Sequence, residues 1–148
     1  MINYDDHFKS VVLGALFHDI GKFYQRADKN VSYKSSELLG YDTRKNIDLI
    51  CPNPSKGYTH KHALWTFDFF QKQKNHFRAI FLNEDKLGED NLTNLASYHH
   101  KPSTQLQTLI QQADWLSSGM DRTDVDEESL QSETGKYNFR FTRLRPIF

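Results

Sequence analysis

The chain has 148 residues, and its 19 acidic and 19 basic side chains cancel to a formal net charge of zero. This length suits one domain, and the balanced charge excludes a global basic field that would attract nucleic acid from a distance. With a mean hydropathy of −0.73, we expect neither a transmembrane span nor a signal peptide. A single cysteine, Cys51, cannot form an internal disulfide, so we expect a reducing cytoplasm.

The first predicted element is a long buried helix over residues 6–27, with Asp5 or Asp6 as its N-cap. Its apolar residues recur at the spacing of one helix face, and they are Val11, Val12, Leu13, Ala15, Leu16, Phe17 and Ile20. His18 and Asp19 stand side by side inside this apolar run. A buried carboxylate is costly unless it is paired or binds a metal. The pair is therefore either a metal site or a satisfied core histidine beside a surface acid.

The rest of the chain alternates between loops and helices. Residues 28–60 are polar and predict a long loop, and a loop of this length beside a candidate site is more often functional than decorative. Further helices are predicted over residues 61–73, 77–83, 92–100 and 104–118, and Gly119 ends the last of them. Residues 123–133 are acidic, and residues 137–144 alternate apolar and polar side chains, the period of a strand.

Five of the seven histidines fall in tight groups along the chain. After His18 come His60, His62, His99 and His100, and then a carboxylate in an apolar helix, Asp114. Imidazole and carboxylate together suit Zn, Mn, Fe, Co and Ni. No Cys-x-x-Cys accompanies them, which argues against a structural zinc finger and favours a hydrolytic centre. Because the groups lie far apart in the chain, several helices must converge on one cavity.

Local geometry leaves alternatives at several positions. His60 and His62 diverge by about 200° on a helix, so both cannot face one metal. Lys22 shares a helix face with Asp19 at i+3, where it can hold a phosphate oxygen, or it is a solvent-exposed lysine. Asp114 is either a ligand or a partner in a helix–helix hydrogen bond.

Four segments of the chain resemble a known family when they are taken in order. They are GALFHDIGKF at residues 14–23, YTHKHALWT at 58–66, ASYHH at 96–100 and ADWLSSG at 113–119. The first resembles the HD motif helix of the HD phosphohydrolase superfamily. All four resemble the N-terminal HD domain of the large signature subunit of type III CRISPR–Cas interference complexes of the Csm type, over about residues 5–122.

The resemblance implies a fold and a site. The fold is an all-α HD-domain helical bundle of the circularly permuted type, with the HD pair on the first long helix and a short strand-like C-terminal tail. The pattern favours His62 over His60, which then caps the helix or lies near the phosphate. The implied metal ligands are His18, Asp19, His62, His99, His100 and Asp114. The implied catalytic residues are His18, Asp19 and Lys22, acting with one or two divalent ions, with Mn, Ni or Co favoured.

The implied function is metal-dependent cleavage of single-stranded DNA in type III CRISPR antiviral defence. The expected partners are single-stranded DNA and the other subunits of the effector complex with its guide RNA, with no membrane involved. Two alternatives remain: a degenerate HD domain that serves as a structural interaction module of the complex, and a nucleotide phosphohydrolase. A degenerate domain would be free to lose Asp19, His100 or Asp114, which argues against the first alternative.

The resemblance also implies a domain organisation. Residues 1–122 form the HD domain, and residues 123–148 form an acidic linker and a strand-like segment leading to downstream domains. The family's GGDD signature is missing from these residues. We therefore expect a piece of a longer protein, with a small natural protein that has a disordered or self-paired tail as the alternative.

Overall fold

The computed structural model describes residues 4–28, 32–55 and 57–129. These residues form α-helices, two short 3-10 turns and no strand, so the prediction of an all-α fold is confirmed. The helices are α1 (Tyr4–Phe17), α2 (Ile20–Ala27), α3 (Tyr41–Lys45), α4 (Ile47–Ile50), α5 (His62–Gln73), α6 (Ala79–Leu82), α7 (Glu84–Leu87), α8 (Leu92–Ser97) and α9 (Gln105–Ser129). No helix among the described residues has the length and apolar character needed to cross a membrane.

The predicted first helix is in fact two helices, and the chain breaks at His18 and Asp19. Thr66 Oγ1 donates to the His18 carbonyl at 3.0 Å, which occupies an acceptor that a continuous helix would use. The amide of Lys22 instead bonds the Asp19 carbonyl at 2.9 Å and closes a tight turn. The predicted N-cap at Asp5 or Asp6 was also wrong, because α1 already begins at Tyr4.

Other helices begin or end at different residues than predicted, because short turns interrupt the predicted segments. The predicted loop over residues 28–60 contains α3 and α4, and the helix predicted over 77–83 shortens to α6. The helix predicted over 92–100 ends as α8 at Ser97, so His99 and His100 lie in the turn that follows.

The predicted end of the last helix at Gly119 was wrong, because α9 continues to Ser129. A glycine inside a helix costs only about 1 kcal/mol relative to alanine, and the helix passes through it. The predicted strand over 137–144 lies outside the described residues, and so does most of the segment 123–148. The predicted domain boundary at residue 122 stays a prediction.

Helix α5 lies at the centre of the bundle. It packs against α2 on one side and α8 on the other, while α1 and α9 both pack against α8 and against each other. The approach of α1 to α8 is close at Gly14, where a Cβ atom would lie 2.9 Å from Leu95 Cβ. This packing brings the start of α5, the end of α8 and the α1–α2 break to one region of the bundle.

Two apolar clusters stabilise this arrangement. The first is Leu39, Ile47, Ile50, Cys51, Ala63, Leu64 and Trp65. The second is Phe70, Phe81, Leu92 and Ala96, against which Phe17 packs. The expectation of a buried first helix was wrong, since five of its seven apolar residues are only partly buried and the other two are exposed, Val12 at 49% and Leu16 at 71%. The apolar face of α1 is therefore wider than the surface that covers it.

Candidate metal centre

Four separate segments meet at one group of histidine and carboxylate side chains. The α1–α2 break contributes His18 and Asp19, and α5, the turn after α8 and α9 contribute the others. Their ligand atoms form two groups, each with all atoms within 4.8 Å of one another: Asp19 with His62, His99 and His100, and His18 with Asp19 and Asp114. Asp19 belongs to both groups.

A close approach of α2 to α5 sets the position of the HD pair. A Cβ atom on Gly21 would lie 2.1 Å from the His62 carbonyl oxygen and 2.5 Å from the Thr66 amide nitrogen. The Thr66 hydroxyl accepts from the Gly21 amide at 3.1 Å and donates to the His18 carbonyl at 3.0 Å. One buried hydroxyl therefore ties the break between α1 and α2 to the first turn of α5, where His62 lies.

Backbone carbonyls set the ring orientation of two histidines. His18 Nδ1 donates to the Ala15 carbonyl at 2.6 Å, and His99 Nδ1 donates to the Ala96 carbonyl at 2.7 Å. A carbonyl oxygen only accepts, so in each neutral ring the proton is on Nδ1 and Nε2 carries a lone pair. This is the arrangement that orients metal-binding imidazoles in proteins.

The Nε2 atoms of these two rings have different surroundings. His18 Nε2 lies 3.3 Å from Asp114 Oδ1 and 3.5 Å from Asp19 Oδ2. His99 is fully buried, and its Nε2 has no hydrogen-bond partner among the described residues. A buried polar atom without a partner is costly. The facing lone pairs and carboxylate oxygens are therefore what a bound cation would satisfy.

The two remaining imidazoles face each other beside Asp19. His62 Nε2 lies 3.1 Å from His100 Nε2 and 3.2 Å from Asp19 Oδ1. The second of these contacts lacks the alignment of a hydrogen bond, and Asp19 Oδ1 is buried without a hydrogen-bond partner among the described residues. This set of nitrogen and oxygen atoms fits a divalent transition-metal ion.

The electrostatics of the centre favour the metal-binding protonation states. Burial lowers the pKa of His99 to about 4, and burial together with the neighbouring imidazoles also lowers the pKa of His100. Burial alone would raise the pKa of Asp19, but the adjacent His62, Lys22 and His18 outweigh it and hold that pKa well below its usual range. Both imidazoles are therefore neutral and the carboxyl is ionised at pH 7, as metal ligands must be.

Lys22 and His60 flank the centre without joining either ligand group. Lys22 Nζ donates to Asp19 Oδ2, and its side chain is 49% exposed. His60 precedes α5 with a φ of 50°, and its ring centroid lies 4.0 Å from that of His100. Of the two histidines whose side chains were expected to diverge, His62 is the one that lies within a ligand group.

Two supporting residues were missed by the sequence analysis. Ser118 Oγ donates to Asp114 Oδ1 at 3.2 Å and orients the carboxylate from the next turn of α9. Its i+4 spacing on a predicted helix was the available signal. Thr66 stands at the same spacing after His62, but its bonds to His18 and Gly21 join residues 45 or more positions apart, and no local pattern predicts them.

Comparison with known proteins gives one relationship. The chain is 30% identical over 117 residues to the CRISPR system single-strand-specific deoxyribonuclease Cas10/Csm1 (subtype III-A) of Methanocaldococcus jannaschii. The match covers 77% of this chain and 11% of that protein, so the chain spans a small part of the relative's length. No family model matches the chain, and no solved structure matches it with significance.

Proposed function

We propose that this chain, which belongs to the Cas10/Csm1 type of HD domain, is a metal-dependent phosphodiesterase that cleaves single-stranded DNA in type III CRISPR antiviral defence. The observation that carries the proposal is the shared position of Asp19 between two groups of ligand atoms, whose imidazole lone pairs face carboxylate oxygens. Within this arrangement His99 Nε2 and Asp19 Oδ1 are buried without a hydrogen-bond partner among the described residues, and a cation would satisfy both.

In this proposal the ligands divide between two positions. His62, His99 and His100 would hold one cation with Asp19, and His18 and Asp114 would hold a second with the same carboxylate. Divalent ions at these positions would supply Lewis acidity and would lower the pKa of a bound water. With nitrogen and oxygen ligands and no thiolate, Mn, Ni and Co are the favoured metals.

The protein side chains then position and neutralise the substrate. The Lys22 ammonium lies beside Asp19 and is half exposed, so it can donate to a phosphate oxygen held at the centre. A fixed cation at that place stabilises the negative charge that develops when the phosphodiester is attacked. Asp19 and His18 would hold the cations, and the substrate phosphate would thereby be positioned for attack.

The substrate and partners follow from the relative, whose name specifies single-strand-specific deoxyribonuclease activity in a CRISPR system. We propose single-stranded DNA as the substrate of this chain. Other subunits of an effector complex with its guide RNA would deliver the strand in the cytoplasm. The HD domain would comprise residues 1–122, and residues 123–148 would lead to downstream domains.

A substrate and metal panel tests the proposal. The purified chain is incubated with single-stranded DNA, duplex DNA, RNA and nucleoside triphosphates in the presence of Mn, Ni, Co, Zn or Mg. We expect cleavage of single-stranded DNA that chelator abolishes, and a loss of at least about 10³-fold in His18→Ala and Asp19→Ala, since each deletes a ligand. His76→Ala, at an exposed histidine outside both groups, is the matched control and should retain activity.

The alternatives give different outcomes. Hydrolysis of nucleoside triphosphates in preference to DNA would indicate a nucleotide phosphohydrolase. Metal binding without any hydrolysis, within an otherwise assembled complex, would indicate a structural module.

A further inference from the structure

Three of the ligand-bearing segments carry a lysine next to a candidate ligand. Lys61 immediately precedes His62, Lys101 immediately follows His100, and Lys22 lies one helical turn beyond Asp19. Lys22 and Lys101 are exposed and Lys61 is partly exposed. Three of the chain's basic residues therefore lie beside candidate ligands in the sequence, although the net charge of the chain is zero.

Contacts connect these lysines to residues of the centre. Lys61 and Lys101 both act electrostatically on the Cys51 thiol, which lies 3.9 Å from the His60 carbonyl. The His60 ring in turn stacks on His100. Lys22 contacts the Asp19 carboxylate, which belongs to both groups of ligand atoms. All three lysines are therefore connected to residues of the centre, Lys22 by a contact and Lys61 and Lys101 by their place in the chain next to His62 and His100.

Neither Lys61 nor Lys101 is neutralised by a carboxylate. No carboxylate oxygen lies within 4.0 Å of either ammonium in the part of the chain that the structure describes, and Lys101 Nζ donates to the backbone carbonyl of Asp48. By contrast, Lys9, Lys45 and Lys72 each pair with an aspartate one helical turn away. The charges beside the centre are thus available to an external anion.

We propose that Lys61 and Lys101 bind backbone phosphates next to the one held at the metal centre, so that the site takes a strand of several nucleotides rather than a mononucleotide. This inference rests on the proposed phosphodiesterase function. A flexible single strand can bend to bring consecutive phosphates to both lysines. Each such contact adds about −0.7 to the slope of log affinity against log salt for single strands.

Comparison of two substrates tests this in the full chain. Lys61→Ala, Lys101→Ala and the double variant are assayed on a single-stranded oligonucleotide and on bis(p-nitrophenyl) phosphate, a diester with one phosphate. We expect KM for the oligonucleotide to rise about three- to ten-fold per lysine, and the double variant's loss of kcat/KM to be at least five-fold greater for the oligonucleotide than for the diester. In the double variant, the slope of log affinity against log salt should become less negative by about 1.4, because two phosphate contacts are lost.

Matched controls separate charge from structure. Lys61→Arg and Lys101→Arg keep the charge and should recover most of the affinity. Lys86→Ala on α7, which also lacks a carboxylate within 4.0 Å among the described residues and lies on no ligand-bearing segment, should match the original protein. Equal losses on both substrates would overturn the proposal, because the lysines would then act on the centre itself. No loss on either would also overturn it.

A binding measurement keeps the inference independent of catalysis. The fluorescence anisotropy of a labelled twelve-nucleotide single strand is followed with the metal-free protein at low salt. If the chain cleaves nothing but the double variant binds several-fold more weakly, the strand-binding surface stands and the proposed function fails. If cleavage is metal-dependent but the double variant binds as well as the original, the function stands and this inference fails.

Discussion

At the residue scale, the centre depends on histidines whose rings are oriented by their own backbone. His18 and His99 each donate Nδ1–H to a carbonyl three residues earlier, and each ring therefore presents Nε2 to the cavity. In both segments, the same hydrogen bond to the backbone fixes the tautomer of the histidine. If the centre binds a metal, Nε2 is thus the nitrogen already exposed to it, and less side-chain freedom is lost on binding.

Cys51 gives a residue-scale prediction about pH. Burial raises the pKa of its thiol to about 11, so at pH 8 only about one thiol in a thousand is ionised, and the thiolate is the reactive form. We expect iodoacetamide to label the native protein far more slowly than the urea-unfolded protein at pH 8, as measured by intact mass. Labelling of both forms at the same rate would contradict the burial of this thiol.

The raised pKa of Cys51 also makes the free energy of unfolding depend on pH. The pKa of Cys51 is higher in the folded than in the unfolded state, so the unfolded chain loses its proton first as pH rises. The free energy of unfolding is therefore unaffected by this group below about pH 9 and falls between about pH 9 and 11. Urea titrations across that window measure it, and Cys51→Ala, which removes the titrating group, should show a smaller fall.

At the element scale, the contact between α2 and α5 decides where the HD pair lies. Gly21 allows the backbones to approach so closely that the Thr66 hydroxyl joins them. Helix propensity alone would favour alanine at this position by about 1 kcal/mol. Packing against α5 disfavours alanine, because a methyl group on residue 21 would collide with backbone atoms of α5 that cannot rotate away.

We expect Gly21→Ala to lower the free energy of unfolding by about 2–4 kcal/mol, since overpacking against backbone forces the helices apart. Chemical denaturation measures the change. Arg26→Ala, an exposed position on the same helix, is the control and should stay within about 0.5 kcal/mol. A stabilised Gly21→Ala variant would show that propensity dominates and that α2 does not approach α5 as described.

At the scale of the whole molecule, the metal centre joins segments that are distant in the chain. Asp19 and Asp114 are 95 positions apart, yet both lie within 4.8 Å of His18 Nε2 in one ligand group. A cation bound there would link α1, α2 and α9, and a second would link α5 to the turn after α8. Metal binding is therefore expected to stabilise the entire bundle rather than one element.

We expect saturating Mn, Ni or Co to raise the Tm of the chain by about 5–10 °C. A ligand at about 100 times its Kd contributes about 2.7 kcal/mol, and each kcal/mol shifts Tm by about 2–4 °C for a chain near this length. Asp19→Asn should abolish most of the shift, because it removes the charge common to both ligand groups, whereas His76→Ala should keep it. Differential scanning fluorimetry measures both, and a full shift in Asp19→Asn would place the metal elsewhere.

The helices that the sequence determined are those with a clear apolar period. Helix α5 was predicted over residues 61–73 and runs from His62 to Gln73, because its own side chains carry the pattern. The first helix was predicted as continuous for the same reason. Its break at His18 follows from the Thr66 hydroxyl 48 positions away, and no local pattern contains that contact. The extension of α9 beyond Gly119 was missed because a glycine signals a helix end without requiring one.

For the candidate centre, the sequence alone determined which residue types were out of place. Histidines and aspartates in apolar surroundings identified His18, Asp19 and Asp114 as candidates, since burial of such groups needs compensation. The tertiary structure decided which atoms meet. It gave Asp19 its place between two ligand groups, chose His62 rather than His60 for one of them, and left His99 Nε2 and Asp19 Oδ1 buried without a hydrogen-bond partner among the described residues. These outcomes depend on how α2, α5, α8 and α9 pack, because side chains far apart in sequence share a cavity only after the helices that carry them have docked.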